Sequence, residues 1–106
     1  MAKKLKLTHP GRILREEFLE PMKLSAYALA KELGVPTPRV NDIVRENRAI
    51  SSEIAVLLAA YFGTTEAFWS NLQSHYDLKT VKHQVVRQAE QIRRRQDENR
   101  VAEVAA

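Results

Sequence analysis

The chain has 106 residues, of which 44% are hydrophobic and 28% are charged, and it contains no cysteine. A chain of this length can form one modest core, so we expect a single domain followed by a tail. Without cysteine there is neither a disulfide framework nor a thiolate metal site, which fits a reducing compartment. The longest apolar run, residues 54–62, is too short to span a membrane, and the first eleven residues lack the apolar segment of a signal peptide. We therefore expect a cytoplasmic protein with no membrane association.

The net charge of +4 is unevenly distributed. Residues 1–78 contain 10 basic and 9 acidic side chains, whereas residues 79–106 contain 7 basic and 4 acidic ones. Most of the positive excess is therefore in the last quarter of the chain. Net charge alone does not establish nucleic-acid binding, which must be argued from the positions of particular residues.

Proline and glycine divide the chain into predicted helices. Pro10 suits the first position of a helix, and Pro21 is expected to end that helix at about residue 20. A second helix is predicted over residues 26–33, with Ser25 as its N-cap and Gly34 as its left-handed exit.

Three further helices follow. Thr37 is predicted to cap a third helix of about two turns, with Pro38 at its first position. Ser51 is predicted to cap a fourth helix, which ends at Gly63 and has apolar residues at helical spacing at Ile54, Leu57, Leu58 and Tyr61. The fifth helix should start at one of the two threonines after Gly63. Its aromatic and apolar stripe is expected to pack in the core: Phe68, Trp69, Leu72 and Tyr76.

A second apolar stripe follows along the fifth helix, and its members align with one another: Val81, Val85, Ala89 and Ile92. Because a helix advances about 100° per residue, Val81 lies opposite Leu72. One straight helix cannot bury both stripes in one core. Either the helix breaks near residues 76–78 or the second stripe contacts a partner.

The C-terminal residues after Ile92 are charged and rich in alanine, which favours a frayed helix or disorder. We accordingly divide the chain into a domain over residues 1–86 and a charged tail over residues 87–106. The basic run at residues 93–95 is expected to be a solvated helix face.

The second and third helices match the helix-turn-helix pattern. The segment AYALAKELGVPTPRVNDI, residues 26–43, combines apolar residues at helical spacing with the small Ala30 inside the first helix and Gly34 in the turn. The small side chain lets the second helix cross closely, and glycine accepts the left-handed turn. In such motifs the second helix enters the major groove of DNA.

That geometry identifies candidate contacts. Base-reading side chains are predicted along the third helix, at Thr37, Pro38, Arg39, Asn41, Asp42 and Arg45. Phosphate contacts are predicted at Ser25, Tyr27 and Arg48. For each residue the alternative is an ordinary solvated helix surface, and Asp42 can instead pair with Arg39 or Arg45.

The residues required for catalysis or metal binding are missing from the pattern. The three histidines, His9, His75 and His83, have no spacing suited to a metal site. The sequence has no catalytic serine-histidine-carboxylate arrangement and no glycine-rich phosphate loop. We therefore expect no catalytic residue, no metal and no cofactor, and we assign His9 as the cap before Pro10.

Several stretches together resemble the HigA family of addiction-module antitoxins, within the lambda-repressor-like or XRE class of helix-turn-helix proteins. They include HPGRILREEFLEP, ALAKELGV, RVNDIVR, RAIS and YFGTTEAFWSNLQ, and the likeness covers Lys6 to Val85. One departure is Glu46-Asn47, where family members often have glycine. Asn47 is expected to take the left-handed turn there.

The resemblance implies an all-α, five-helix domain with a charged C-terminal tail, helical or disordered. It implies a homodimer that represses its own operon at a palindromic operator and neutralises a HigB toxin, a RelE-like mRNA endonuclease. We expect dimerisation through the fifth helix, at Phe68, Trp69, Val81, Val85 and Ile92. The alternative is a solitary XRE-type regulator or a protein-interaction module without a toxin partner. The reading frame directly upstream would distinguish these alternatives.

Overall fold

The structure is a computed structural model that describes residues 7–105. The first six residues of the predicted domain 1–86, which include Lys6 of the family resemblance, lie outside the described residues, as does residue 106 of the tail. The described part consists of helices and contains no strand, in five units: α1 over residues 10–22, α2 Ala26–Leu33, α3 Thr37–Val44, α4 Ser52–Phe62 and α5 Glu66–Ala105. The all-α, five-helix prediction is confirmed. No helix within residues 7–105 is both long and apolar enough to span a membrane.

The first helix begins at Pro10 as predicted, but it does not end before Pro21. It contains three segments, Pro10–Ile13, the π-helical Leu14–Leu19, and Glu20–Met22. In an α-helix the proline ring would meet the carbonyl four residues earlier. Here the preceding turn is wider, and the N–H of Glu20 donates to the carbonyl of Arg15, five residues back. This change of register lets the helix continue through Pro21 to a left-handed residue, Lys23, at φ 54°.

Several predicted helix ends are confirmed. The hydroxyl oxygens of Ser25 and Ser51 accept hydrogen bonds from the backbone of Ala28 and Ile54, at 3.0 and 3.2 Å. Gly34 and Gly63 end α2 and α4 at φ 75° and 73°. Thr65 caps α5, because its hydroxyl accepts from the backbone N–H of Phe68 at 3.0 Å.

The start of α3 differs from the prediction. Thr37 is the first helical residue, and Pro36 occupies the capping position without a side-chain hydrogen bond. Pro38 is consequently the second helical residue. Two prolines thus restrict the backbone on either side of Thr37. This restriction, rather than a side-chain cap, starts the helix.

The core lies between α1–α4 and the first turns of α5. Trp69 has no exposed surface, and its indole N–H donates to the hydroxyl of Thr64 at 2.7 Å. Three phenylalanine rings surround it, with centroids 4.9–6.1 Å away: Phe18, Phe62 and Phe68. The predicted aromatic stripe therefore packs in the core through Trp69 and Leu72, whereas Phe68, 38% exposed, covers the rim of the core and Tyr76 contacts His9.

Tyr61 in α4 lies at the rim of the core. Its side chain is 37% exposed, whereas Ala55 and Ala59 are buried beside Ile54 and Leu58. The buried stripe of α4 is therefore centred on these two pairs, one turn apart, and position 61 falls at its edge.

The fifth helix does not break near residues 76–78. It continues to Ala105, with one departure from helical dihedrals at Val85, where φ is −114° and ψ is 15°. The second stripe stays outside the core of the protomer, since Val81, Val85 and Ile92 are 50%, 38% and 51% exposed. The tail is helical over the described residues 87–105.

The N-terminus of α1 is packed tightly against two other helices. The Nδ1 atom of His9 accepts a hydrogen bond from the backbone N–H of Gly11 at 2.9 Å. A Cβ atom on Gly11 would lie 1.7 Å from the carbonyl oxygen of Ile43 in α3, so only glycine permits this approach. The ring of His9 contacts Tyr76 of α5 edge to face, with centroids 4.9 Å apart.

His9 should make folding stability depend on pH. Burial lowers the pKa of His9 below 6.5, and the negative charges of Glu46 and Asp77 only partly oppose this shift. The unfolded chain therefore binds the proton more readily, so this contribution to stability is complete above about pH 6.5 and is lost as the pH falls through the lower pKa of the folded state. We expect His9→Asn, which retains a capping side chain, to show a smaller loss of melting temperature between about pH 7 and pH 5 than the wild type.

Circular dichroism melts across this pH range test the prediction. His75→Asn is the matched control, because His75 is exposed on α5 and makes no cap. It should follow the wild-type profile. Equal pH dependence in wild type and His9→Asn would contradict the assigned role of His9.

Candidate nucleic-acid interface

Helices α2 and α3 form the two-helix motif predicted from the sequence. Gly34 turns the chain, and the N–H of Val35 donates to the carbonyl of Ala30 at 3.0 Å. Ala30 is completely buried, as the close crossing of the helices requires. The inward face of α3 is formed by Val40 and Ile43, each 1% exposed. The opposite face of α3 is therefore directed away from the core.

The predicted base-reading residues differ in exposure and in their partners. Pro38 and Arg45 are exposed, and the others are half-buried: Thr37, Arg39, Asn41 and Asp42. Arg39 forms an ion pair with Glu53 at the start of α4, at 3.0 Å. Within the described residues Arg45 has no ion-pair partner, so its charge is available to an external ligand.

Asp42 pairs with Arg48 of the following loop, at 3.4 Å, rather than with Arg39 or Arg45. The contact joins a predicted base-reading residue to a predicted phosphate contact. The two side chains are 37% and 49% exposed. Ion pairs of such exposure contribute about 0–1 kcal/mol, so a phosphate can readily replace the carboxylate as the partner of Arg48.

The other two predicted phosphate contacts lie at the N-terminal end of α2. Ser25 is exposed, and its hydroxyl caps the helix. The ring of Tyr27 is 60% exposed and lies 5.8 Å from the ammonium of Lys31. Within residues 7–105 no hydrogen bond or ion pair joins Ser25 or Tyr27 to the side chains of α3. Their relation to α3 is set by the packing of the two helices.

The exit from α3 uses Glu46 as its left-handed residue, at φ 67°, and not Asn47 as predicted. The N–H of Glu46 donates to Ile43 at 2.9 Å, and that of Asn47 donates to Asp42 at 2.8 Å. This bonding pattern fixes which position is left-handed. A non-glycine residue there costs about 1–2 kcal/mol, and the ion pair between Glu46 and Arg15, at 3.0 Å, helps to offset it.

Two residues important for the interface were missed from the sequence. Arg15 of α1 contacts both Val44 and Glu46 at the end of α3. Gln73 of α5 is buried, and its side-chain oxygen accepts from the N–H of Ile50 at 2.8 Å, which secures the loop that carries Arg48. The side-chain nitrogen of Gln73 donates to Asp77 at 2.9 Å. The sequence did contain a signal for Gln73, since a polar residue beside Leu72 on the inward side of α5 indicates a buried side chain with a hydrogen-bond partner.

The residues predicted for dimerisation do not form one surface. Trp69 was included among them, but it is completely buried in the protomer, so it has no surface to offer a partner. The first turn of α5 faces the helical bundle, which is the reason for this burial. Phe68 is 38% exposed, and it lies thirteen residues before Val81, which corresponds to about 140° around the helix. The exposed stripe of Val81, Val85 and Ile92 is therefore separate from Phe68.

Comparison with known proteins identifies the family. The profile of the helix-turn-helix family matches residues 14–69, more than half of the chain. Virulence-associated protein I of Dichelobacter nodosus is 56% identical over 71 residues, which cover 67% of this chain and 66% of that protein.

Two solved structures have the same fold. The Pseudomonas aeruginosa antitoxin HigA with the higBA promoter is 49% identical, with a TM-score of 0.79, over 81% of this chain and 94% of that one. Antitoxin GraA in complex with its operator is 44% identical, with a TM-score of 0.75, over 84% of this chain and 90% of that one. The family consists of DNA-binding regulators and not of enzymes. The chain therefore belongs to the XRE-type helix-turn-helix family, among the HigA-like antitoxins.

Proposed function

We propose that the protein binds a palindromic operator as a homodimer, represses its own operon, and neutralises a HigB-type toxin, a RelE-like mRNA endonuclease. DNA binding is supported mainly by the outward side of α3 and its C-cap. Asn41 and Arg45 lie there, opposite the buried Val40 and Ile43, and Arg45 has no ion-pair partner among residues 7–105. The two solved relatives that contain promoter or operator DNA support the same role. Neutralisation of a toxin rests on kinship with the HigA antitoxins. Such a protein would act in the cytoplasm.

In this proposal α3 enters the major groove. Arg45 can donate two hydrogen bonds to guanine O6 and N7, and Asn41 can pair with adenine N6 and N7. Asp42 can accept from cytosine N4, and Pro38 can contact a thymine methyl group. Arg39 can read a base only when it leaves Glu53, an exchange of weak surface contacts.

The phosphate contacts position α3 in the groove. Arg48 sits beside α3 through its pair with Asp42, and Ser25 and Tyr27 lie at the N-terminal end of α2. Phosphate contacts of this kind fix orientation but carry no sequence information. The domain can therefore bind DNA although its 78 N-terminal residues carry nearly balanced charge.

Base-reading and phosphate variants should lose binding in different ways. Asn41→Ala and Arg45→Ala each remove a base contact, which should cost about 1–3 kcal/mol and relax the preference at one base pair. Arg48→Ala removes a phosphate contact, so it should weaken binding to all sequences and lower the salt slope by about one per site. Titrations against operator and scrambled DNA at several salt concentrations measure both effects.

Circular dichroism and thermal melts provide the control, because all three side chains are outside the core and the fold should be retained. If neither Asn41→Ala nor Arg45→Ala changes the affinity for operator, the assigned reading face is wrong. Those residues would then belong to a solvated helix surface.

Dimerisation follows from the small area that one eight-residue helix can read. In a dimer the half-sites should lie about 34–36 Å apart or at a whole number of helical turns. We assign the dimer contact to the exposed stripe of Val81, Val85 and Ile92, since these residues share one side of α5 outside the core. Protection of a single unpaired half-site by the dimeric protein would contradict this arrangement.

The double variant Val85→Lys with Ile92→Lys should convert the dimer to a monomer, because two charges would be buried on each side of the contact. Light scattering coupled to size exclusion measures the mass. The control is Gln84→Lys with Gln91→Lys, which adds the same charge on exposed positions about a quarter turn away. An unchanged mass in the first variant would refute the assigned stripe.

Neutralisation should depend on the folded domain and not on the end of the tail. Residues 93–104 are exposed outside the core, so truncation after Ile92, which keeps the assigned dimer stripe, should leave folding, DNA binding and toxin neutralisation intact. Growth on co-expression with the upstream toxin and copurification of the two proteins test this. A truncated protein that binds DNA but no longer binds toxin would identify the tail as the toxin-binding element. The absence of any upstream toxin gene would favour a solitary regulator.

A further inference from the structure

We infer that Arg15 of α1 positions Arg45 for base reading, by holding the backbone on both sides of it. One nitrogen of the Arg15 guanidinium, Nη1, donates to the carbonyl oxygen of Val44. The other, Nη2, lies 3.0 Å from Oε2 of Glu46. Arg45 is the residue between these two partners. The inference rests on the proposed DNA-binding function.

The two contacts supply what the end of α3 lacks. The last carbonyl groups of a helix have no partner within the helix, and Val44 is the final residue of α3. The planar guanidinium presents paired donors, so it can bind the carbonyl and the carboxylate at once. A lysine ammonium carries its charge and its donors on one nitrogen atom, so it lacks this geometry.

The backbone one turn before Arg15 is closely packed against α3. Arg15 lies one turn after Gly11, where α1 approaches the carbonyl of Ile43 so closely that a Cβ atom would not fit. The Arg15 side chain is 30% exposed, and Glu46 is 37% exposed. A partly buried pair is screened by salt less than a fully exposed pair.

The backbone at Arg45 depends on this support. Arg45 follows the last residue of α3, with φ −84° and ψ 2°, and its N–H donates to Asn41 at 3.0 Å. The next residue, Glu46, is in the left-handed conformation. The direction of the Arg45 side chain is set by the peptide groups on either side, and Arg15 holds both neighbours. Asn41 lies within the regular part of α3, so its direction does not require Arg15.

Arg15→Gln tests the inference. We expect the affinity for operator to fall about threefold to thirtyfold. The base-pair preference should relax only at the position where Arg45→Ala also relaxes it, while the position read by Asn41 should be unaffected. In the Arg45→Ala background, Arg15→Gln should change the operator affinity by less than about twofold, because the contact that it supports has already been removed. The measurements are titrations against operator and a set of operators with single base-pair changes.

Arg12→Gln is the matched control. It removes the same charge from the same helix, but within residues 7–105 Arg12 pairs with Glu16 and not with α3. Glu16 also lies 3.6 Å from Nη2 of Arg15, so this variant removes one partner of Glu16 and leaves the contacts of Arg15 with α3 in place. It should leave the base-pair preference unchanged. Arg15→Lys is a second test variant, because it keeps the positive charge and disturbs the fold less. It should relax the base preference at the same position as Arg15→Gln. Thermal melts establish that each variant is folded, and if Arg15→Gln is unfolded, Arg15→Lys decides.

Several results would overturn the inference. Additive effects of Arg15 and Arg45 variants, or an equal loss at every base pair, would show a purely structural role for Arg15. An equal effect of Arg12→Gln would show that net charge is the cause. If Arg45→Ala relaxes one base pair and both Arg15 variants leave it intact, this inference fails and the proposed function stands. If Arg45→Ala has no effect on operator binding, both fail.

Discussion

The close contact between α1 and the end of α3 is the constraint on which the interface depends. Gly11 allows the approach, because any side chain would collide with the carbonyl of Ile43. Arg15 then reaches the carbonyl of Val44 and the carboxylate of Glu46. His9 caps α1 and contacts Tyr76, which ties the same junction to α5. A segment far from the outward face of α3 thus determines how that face ends.

The charges around α3 are mostly paired before any ligand arrives. Arg39 contacts Glu53, Arg48 contacts Asp42, and Arg15 contacts Glu46. Such pairs reduce non-specific attraction to a polyanion, since each arginine must exchange a carboxylate for a base or phosphate. This arrangement is consistent with nearly balanced charge over residues 1–78. Specificity in the proposed function would then depend on geometry more than on total charge.

The fifth helix has two separate roles along its length. Its first turns complete the core through Trp69 and secure the loop after α3 through Gln73. Beyond the core its apolar side chains are exposed on a different side of the helix. The residue with non-helical dihedral angles, Val85, lies within this exposed stripe. The sequence pattern predicts this conflict of phase and leaves two outcomes open, a break near residues 76–78 or contact of the second stripe with a partner. The helix passes residues 76–78 without a break because no part of the second stripe has to enter the core, and its backbone is kinked instead at Val85.

The sequence by itself determined the features that depend on local chemistry. Ser25, Ser51, Gly34 and Gly63 mark helix ends because caps and left-handed exits involve residues close in the chain. The apolar spacing of residues 26–43 predicted the two-helix motif for the same reason. The outward position of Arg45 also follows from this spacing.

The tertiary structure decided the contacts between residues distant in the chain. Arg15 lies 29 and 31 residues from its partners, and Gln73 lies 23 residues from Ile50. No local pattern specifies such pairs, because they depend on how helices cross. The left-handed conformation of Glu46 and the continuation of α1 through Pro21 have a related cause, since hydrogen-bond registers around them override local preferences. The burial of Trp69 was likewise decided by the packing of α5 against the bundle. From the sequence this side chain is predicted both for the core and for the dimer contact, and only the core position agrees with its burial.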